Sequence, residues 1–402
     1  MLKRKKKKEH WKQNVAALWI GNFATGAGTS MSLPFLPLFI TNLGNFSHKE
    51  ITLYTGIAFS ITFLSQAIIS PIWGKLADRT GRKTMLLRAA IGMTITATLS
   101  GLSPNIWVLI ILRLIHGFFS GYINNAYALV ASDAPQEHNG EAMGKLTTGA
   151  VSGQLTGPVF GGIIAGTFGY RIPFFFFGIL MAIATIITYL CVQENFTASK
   201  VEKIEKIGNV FSDVKNIHII WAMFLSSMLI QAATNSINPI ISLFVQQLMN
   251  HKGNVALISG IIVALPGLGT LLTASHFGHL GDRIGPKKIL LAGLLISGIL
   301  FFQMYFVKTT ATLAILRFLI GVADAALIPM TQIVMSLNTP SDSISRVFSY
   351  NQSFQAIGSV VGPMMTALVA GFFSYPDVFL MTTSLVIVNL AVVWWSYAQD
   401  AT

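Results

Sequence analysis

The sequence predicts an all-α membrane protein with twelve transmembrane helices arranged in two pseudo-symmetric halves of six. Three observations indicate this fold class. Of the 402 residues, 53% are hydrophobic and 10% are charged, which leaves too little polar surface for ordinary soluble domains. The apolar residues fall into twelve runs long enough to cross a bilayer. Motifs of the first half also recur in the second.

The twelve apolar runs set the order of the predicted helices. They lie near 15–40, 51–74, 84–103, 106–131, 142–166, 172–191, 217–246, 255–277, 288–307, 311–335, 346–371 and 377–398. Backbone polar groups in hydrocarbon must be satisfied within a helix, because the alternating strands of a barrel are absent. We therefore expect a basic tail (1–14), a first half (15–191), a polar linker (192–216) and a second half (217–398).

Basic residues predict how the chain is oriented. Seven of the 27 lie in the first twelve positions. Such a block beside an apolar run holds a terminus in the cytoplasm, whereas a nucleic-acid surface would need structured basic and aromatic neighbours. With the tail inside, 21 basic residues fall on the cytoplasmic side and four in external loops. The sequence predicts a multi-pass protein of a bacterial cell membrane, with both termini cytoplasmic and no nucleic-acid partner.

A repeated motif relates the two halves. The sequence Gly74-Lys-Leu-Ala-Asp78-Arg79-Thr-Gly81-Arg82-Lys83 reappears 204 residues later as Gly278-His-Leu-Gly-Asp282-Arg283-Ile-Gly285-Pro286-Lys287. Arg113 recurs as Arg317 at the same offset, and Gly157-Pro158 recurs as Gly362-Pro363 one residue later. Several matches at nearly one offset predict two halves in parallel orientation.

These motifs resemble those of the major facilitator superfamily, in its drug/proton antiporter branch. The segment 74–83 is similar to the family's loop between helices two and three. Gly149-x3-Gly153-x3-Gly157-Pro158-x2-Gly161-Gly162 is similar to its antiporter motif, and Pro34-x2-Pro37 and Gly358-x3-Gly362-Pro363 also fit. The likeness covers the whole chain and is greatest to multidrug efflux pumps of Gram-positive bacteria. One departure is His116, where many relatives carry another polar residue.

The resemblance implies a function and an energy source. It implies a monomeric secondary transporter, not an enzyme, that exports amphipathic and often cationic drugs in exchange for protons by alternating access. The lipid bilayer, small amphipathic substrates and protons would be its partners, and the proton gradient would replace any cofactor. Export of one endogenous metabolite (a sugar, amino acid, siderophore or lipid precursor) is the alternative. Two further alternatives are a proton-coupled uptake transporter and a channel or receptor.

The sequence lacks the motifs that several classes of enzyme and ATP-driven pump require. No Walker loop is present, since Gly140-x3-Gly144-Lys145 has the wrong spacing and no following Ser or Thr. No His/Cys/Asp cluster has metal-ligand spacing, and Gly-x-Ser-x-Gly is absent. We therefore expect neither an ATP-driven pump, nor a hydrolase, nor a metal site.

The resemblance also implies gating residues. The charged segments would form a latch between the halves that breaks during transport, although positive-inside anchoring explains the same charges. The latch set is Gly74, Asp78, Arg79, Gly81, Arg82, Lys83, Asp282 and Arg283, with Asp133 and Arg346 as partners. Glycines at four-residue spacing allow close helix contact, and proline bends a helix. Gly149, Gly153, Gly157 and Pro158, with Gly358, Gly362 and Pro363, therefore form either a gate or a tight static interface.

Charge within the spans indicates the proton pathway. Asp324 is the one acidic residue predicted deep inside a span, and Arg317, seven residues earlier, lies about 20° away on the helical wheel. Ionisable groups at this depth often face cavities and carry protons. We expect Asp324, Arg317 and Arg113 to couple protons, with a structural ion pair between Asp324 and an arginine left open. Arg113 could also clamp substrate or satisfy carbonyls in a kinked region.

Polar and aromatic residues inside spans predict a substrate cavity. Arg113 and Asn124 are eleven residues apart, about 20° on the wheel, so with His116 they would form a polar stripe. The predicted cavity set is His116, Asn124, Gln231, Asn235, Asn238, Gln352, Gln355, Phe35, Tyr127 and Phe354. Such amides also join helices by hydrogen bonds, and His116 also fits a hydrogen-bonded core residue.

Overall fold

A computed structural model describes residues 2–194, 216–340 and 343–398. The described ranges contain fifteen α-helices, numbered in chain order. The first half of the sequence contains α1 (Leu2–Ser32), α2 (Leu36–Thr41), α3 (His48–Thr80), α4 (Arg82–Gly101), α5 (Ile106–Phe119), α6 (Tyr122–Asp133), α7 (Asn139–Phe168) and α8 (Ile172–Cys191). After the linker come α9 (Ile217–Ser236), α10 (Ile241–Leu248), α11 (Val255–Ile284), α12 (Pro286–Met304), α13 (Thr310–Asn338), α14 (Ile344–Phe372) and α15 (Tyr375–Ala398). Most of the predicted linker lies outside the described residues.

The fifteen helices correspond to the twelve predicted spans, because three spans are each built from two helices. A 3₁₀ turn, Leu33–Phe35, separates α1 from α2, and Pro34 lies in it. In the second half, Pro239 lies between α9 and α10. Proline has no backbone N–H and disrupts helical hydrogen bonding, which explains both breaks. The fourth span breaks at Ser120 and Gly121, where Gly121 has a φ of 115°.

Ten spans in the described ranges are long and apolar enough to cross a membrane by length and hydropathy alone. The remaining two, α4 and α7, fall outside this set because of their composition. α4 begins with Arg82 and Lys83 and also carries Arg88, while α7 contains eight glycines. Many large apolar side chains are exposed along the helices, among them Ile68, Trp107 and Leu190. An apolar exterior of this extent is what a bilayer-embedded protein presents.

The repeated charged motif is mostly helical, which corrects its prediction as a loop. α3 continues through Thr80 and α4 begins at Arg82, so the turn consists of Gly81 alone, with φ of 92°. Its counterpart Gly285, with φ of 96°, joins α11 to α12 in the same way. These left-handed φ values favour glycine, and the short turns extend both preceding helices beyond the apolar runs.

The chain divides into two compact units. The first comprises Met1–Asn45, Leu64–Glu202 and Ala256–Ala264, and the second comprises Phe46–Phe63, Lys203–Val255 and Leu265–Thr402. Both units draw on helices that continue into the other, namely α3 and α11. In the first unit, α1 packs against α6, α7 and α8, and α4 packs against α8. In the second, α9 packs against α13, α14 and α15, and α12 packs against α13 and α15.

Candidate transport site

Asp324 lies on α13 in the second unit, where it is half-buried. Its carboxylate accepts a hydrogen bond of 3.4 Å from the hydroxyl of Ser297 on α12. Side chains of α9, α12, α13 and α15 surround it and leave a cavity of about 10 Å³, which is close to the space that one water molecule requires. The polar residues that line this cavity are Thr234, Ser297, Asp324 and Asn389.

Arg317 shares the helix of Asp324 but does not neutralise it through direct contact. Its side chain is buried, about two turns earlier on α13. Within the described ranges no ion pair of 4.0 Å or less joins it to Asp324, and its Nε has no hydrogen-bond partner there. The direct structural ion pair between these two residues is therefore not formed. A water-sized cavity remains beside Asp324.

The predicted stripe of Arg113, His116 and Asn124 in the first unit is wrong. The helical wheel assumed one continuous helix, whereas the break at Ser120 and Gly121 separates Asn124 on α6 from the other two on α5. Arg113 and His116 are buried, while Asn124 is exposed. His116 Nδ1 lies 2.8 Å from the Thr96 hydroxyl on α4, and its ring packs edge-on against Phe177. These contacts are those of a packed core residue.

Arg88 on α4 supports the break in the fourth span. Its guanidinium lies 4.0 Å from the centre of the Trp73 ring. It donates to the carbonyl oxygens of Phe118, at 3.3 Å, and Ser120, at 3.5 Å. Trp73 Nε1 also donates to Phe118 O, at 2.8 Å. The break frees these carbonyls from helical bonding, and the two side chains replace the lost donors.

Arg88 thus satisfies carbonyls at the kink, a role that the sequence also suggested for Arg113. A signal for it was available in the sequence. Ser120-Gly121 interrupts an apolar run, and Arg88 lies inside another. Only the packing of α4 beside α5 and α6 shows that these two features meet.

Three predicted amides lie at the end of α9, Gln231 and Asn235 on the helix and Asn238 just after it, and we call them the amide row of α9. Asn235 Nδ2 donates to Gln231 O, at 3.0 Å, and to the Ser359 hydroxyl, at 3.4 Å. Asn238 Nδ2 donates to Asn235 Oδ1, at 3.3 Å. All three amides are half-buried. They therefore remain accessible for polar contacts, and Asn235 also joins α9 to α14.

The remaining predicted cavity residues are divided between the units. On α14, Gln352 is exposed and Gln355 is half-buried, while Phe354 stacks on Phe224 with ring centres 5.2 Å apart. Tyr127 on α6 donates to the Thr147 hydroxyl, at 3.0 Å. Phe35 has no exposed surface, so its prediction as a cavity-lining residue is wrong. It lies in the 3₁₀ turn and packs near Gly161 of α7.

The glycines of α7 lie on two faces with different neighbours. A Cβ atom at Gly149 would lie 2.7 Å from the Trp19 carbonyl oxygen of α1, and one at Gly153 would lie 2.6 Å from the Ala27 nitrogen. Gly157 also faces Ala27. The regular glycine row therefore forms a tight contact with α1 inside the first unit, where the two backbones approach closely.

Pro158 and Gly162 face the first turns of α11 instead. A Cβ atom at Gly162 would lie 2.6 Å from Ala256 O, and one at Gly260 would meet the Pro158 carbonyl. In the second unit Gly358 and Gly362 pack against α9, and a Cβ atom at Gly56 would lie 2.8 Å from Pro363 O. The sequence repeat thus extends to these contacts, since Gly56 and Gly260 are 204 residues apart.

Polar contacts around the charged motif involve Glu194, which is not among the predicted site residues. The carboxylate of Glu194 accepts hydrogen bonds of 2.7 Å from the backbone N–H groups of Arg82 and Lys83. It therefore caps the start of α4, where the helix dipole favours a negative charge. Asp133 accepts a hydrogen bond of 2.8 Å from Asn14 Nδ2.

The predicted latch between the halves is not tested by these contacts. The side chains of Asp78, Asp282 and Arg346 lie outside the described residues, and Arg79 and Arg283 are exposed. A Cβ atom at Gly74 would meet no neighbouring atom within 4 Å. On α7, Lys145 donates to Glu141 at 2.7 Å, and this contact lowers the pKa of the Glu141 carboxyl.

Comparison with known proteins identifies the family. The model of the Major Facilitator Superfamily matches residues 18–262 and 223–402. Multidrug resistance protein MdtG of Salmonella paratyphi C (strain RKS4594) is 44% identical over 385 residues, which cover 96% of this chain and 95% of that protein. The protein of the same name from Escherichia fergusonii is also 44% identical, with 96% and 94% covered.

Solved structures share the fold at low sequence identity. A bacterial homolog of the human lysosomal transporter Spinster, in an inward-facing and occupied conformation, has a TM-score of 0.82 at 15% identity and covers 97% of each chain. The nucleoside transporter NupG has a TM-score of 0.80 at 14% identity, covering 96% of this chain and all of that one. The predicted family and fold are both confirmed. The chain belongs to the Major Facilitator Superfamily and is a multi-span membrane transporter.

Proposed function

We propose that this protein is a proton-coupled exporter of amphipathic, often cationic compounds in a bacterial cell membrane. Relatives that are 44% identical over nearly the whole chain are named multidrug resistance proteins, which supports a drug-like substrate. The observation that carries proton coupling is Asp324, a half-buried carboxylate beside a water-sized cavity within a membrane span. A group in this position can exchange a proton and can also attract a cation.

The proposed cycle uses one group for two competing ligands. Protonation of Asp324 from the outside neutralises it and favours the return of the empty carrier. Substrate loading from the cytoplasm favours the charged carboxylate and releases the proton. Coupling by alternating access requires that proton and substrate have different affinities in the two states. The proton gradient supplies the energy, and the proposal includes no cofactor.

The proposal includes the orientation and the oligomeric state. The excess of basic residues in the tail and in alternate loops supports a cytoplasmic location for both termini. The polar row of Gln231, Asn235 and Asn238 supports a role in substrate contact. We propose that the transporter acts as a monomer whose partners are the bilayer, protons and small amphipathic substrates.

The test is uptake of a fluorescent cationic dye into inverted membrane vesicles energised by a pH gradient. Wild-type vesicles should accumulate the dye, and an ionophore that collapses the gradient should abolish accumulation. Asp324→Asn, at matched amounts in the membrane, should reduce gradient-driven uptake at least tenfold, because the amide cannot carry the proton. Asp377→Asn is the matched control, since Asp377 caps the start of α15 in the same unit and asparagine retains the cap.

The other outcomes are also informative. Full activity of Asp324→Asn would exclude Asp324 as the proton carrier. No uptake of any dye by the wild type, with transport of a single metabolite, would replace multidrug export by a narrow endogenous exporter. Accumulation that persists after the gradient is collapsed would contradict proton coupling.

A further inference from the structure

The cavity beside Asp324 has a second polar wall. Asn389 on α15 lines the cavity and is 1% exposed. Its Nδ2 donates to the Ser226 carbonyl of α9, at 3.4 Å. Its Oδ1 has no hydrogen-bond partner in the described part of the chain. A buried acceptor without a donor is costly, so this oxygen favours any hydrogen-bond donor that enters the cavity.

The cavity offers two kinds of hydrogen-bonding group to Asp324. The Ser297 hydroxyl donates to Asp324 Oδ1, and a donor stabilises the charged carboxylate. Asn389 Oδ1 can only accept, so it favours the protonated carboxyl, whose O–H is a donor. A volume of about 10 Å³ leaves space for one bridging water, with these three groups as its partners.

The charged neighbours of this cavity are few. Its lining residues from α9 (Ile230, Ala233, Thr234), α12 (Leu294, Ser297, Phe301) and α15 (Val386, Asn389) include no titratable group. Arg317, on the same helix as Asp324, is the charged residue with an electrostatic interaction with it. The facing helices can therefore influence the protonation of Asp324 only through neutral hydrogen bonds, which come from α12 and α15.

We propose that Asn389 is a positioning residue of the proton site, whose Oδ1 accepts a hydrogen bond from the protonated carboxyl of Asp324, directly or through one water molecule. Ser297 stabilises the opposite, charged state. The inference rests on the proposed function, in which Asp324 exchanges a proton, and it adds a defined partner for each protonation state. Proton binding then draws α13 towards α15, whereas proton release favours contact with α12.

The site is separate from the amide row of α9. Ile230, Ala233 and Thr234 of α9 face the cavity, whereas Gln231 and Asn235 contact α14. On the helical wheel the two sets point in directions about 125° apart. Removal of Asn389 should therefore change the pH dependence of substrate binding while leaving the affinity at high pH nearly unchanged.

The experiment measures dye binding to the purified full-length protein in detergent as a function of pH. A cationic dye competes with the proton at Asp324, so binding is lost below a midpoint pH. Asn389→Leu destabilises the protonated carboxyl, so protonation needs a more acidic solution and the midpoint should fall by about half to one pH unit. Ser297→Ala removes a donor to the carboxylate, and its midpoint should rise by a similar amount.

A closely matched control is available in the first unit. Asn22 on α1 is also buried, donates from Nδ2 to a backbone carbonyl (Leu146 O, 3.3 Å) and has an Oδ1 without a partner among the described residues. Asn22→Leu carries the same chemical change away from Asp324, so it should leave the midpoint in place. Asn389→Val serves the same purpose as Asn389→Leu if the larger side chain prevents folding.

The outcomes separate this inference from the proposed function. Opposite shifts for the Asn389 and Ser297 variants support it. A midpoint for Asn389→Leu that matches wild type, or that rises, overturns it, because Asn389 would then be structural or a donor to the carboxylate. If wild-type binding does not depend on pH, or if Asp324→Asn keeps the wild-type midpoint, the proton role of Asp324 itself fails.

Discussion

Asp324 and Arg88 show how the two halves of the repeat differ in chemistry. Asp324 is 204 residues after Ser120, so the position of the acid in the second half corresponds to the helix break in the first. Arg88, which binds the carbonyls at that break, corresponds to Ala292. The first unit thus has a cation at open backbone carbonyls, and the second has a carboxylate on a continuous helix. The two units therefore carry different polar groups, although they share one fold.

At this scale we predict that Arg88→Met destabilises the protein. The variant loses a cation–π contact and leaves the Phe118 and Ser120 carbonyls with fewer donors, at a cost of about 2 kcal/mol. Arg88→Lys should recover part of this loss, because a single ammonium retains the charge but not the forked geometry. The measurement is the thermal unfolding midpoint in detergent.

Lys308→Met is the control for Arg88, because Lys308 is an exposed basic residue between α12 and α13. It should unfold at the wild-type temperature. If Arg88→Met also unfolds at that temperature, the hydrogen bonds to the break contribute nothing to stability. In that case Trp73, which donates to Phe118 at the shorter distance, maintains the break alone.

Helix α7 shows how one motif serves two contacts. Its glycine row at 149, 153 and 157 forms a close interface with α1, whereas Pro158 and Gly162 contact the beginning of α11. The first contact lies between two helices of the first unit. The second also lies within the first unit, because Ala256–Ala264 of α11 belong to it, although α11 itself continues into the second unit. The motif therefore provides two separate helix contacts.

For this element we predict that Gly153→Ala lowers the yield of folded protein. The added methyl group would lie against backbone atoms of Phe23 and Ala27, which cannot rotate away, so overpacking should cost about 1–3 kcal/mol. Gly144→Ala on the same helix has open space at its Cβ position and should be neutral or stabilising by up to about 1 kcal/mol. Size-exclusion chromatography of a fluorescent fusion compares the two variants. Equal monodisperse peaks would contradict the tight packing of α7 on α1.

At the scale of the whole molecule, the distribution of charge predicts the orientation, and the chain provides its own probe. Cys191 is the single cysteine of the sequence, and it is exposed at the end of α8. With both termini cytoplasmic, α8 ends on the cytoplasmic side. A membrane-impermeant maleimide should therefore label wild-type protein in inverted vesicles but not in right-side-out vesicles.

The reciprocal variant completes this topology test. Asn45 lies in an exposed segment between α2 and α3, on the external side of the predicted orientation. Asn45→Cys in a Cys191→Ser background should give the opposite labelling pattern. Labelling of both variants from the same side would rule out the predicted topology.

The sequence by itself determined the class, the number of spans and the family. These features depend on composition and spacing along the chain, since a run of apolar residues crosses a bilayer wherever it occurs. The offset of 204 residues likewise indicated two halves without any coordinates. Asp324 was also identifiable, because an acidic residue deep in an apolar run is costly and seldom lacks a function.

Only the tertiary structure decided which residues surround these features. The wheel that joined Arg113 to Asn124 failed because a positive φ at Gly121 ends one helix and starts another. Glu194 at the start of α4 and Asn389 beside Asp324 come from distant parts of the chain, 111 residues from Lys83 in the first case. Hydrogen bonds and cavities depend on distances between helices, and periodicity along one helix contains no information about its neighbours. The polar partners of a buried charge are therefore decided by packing.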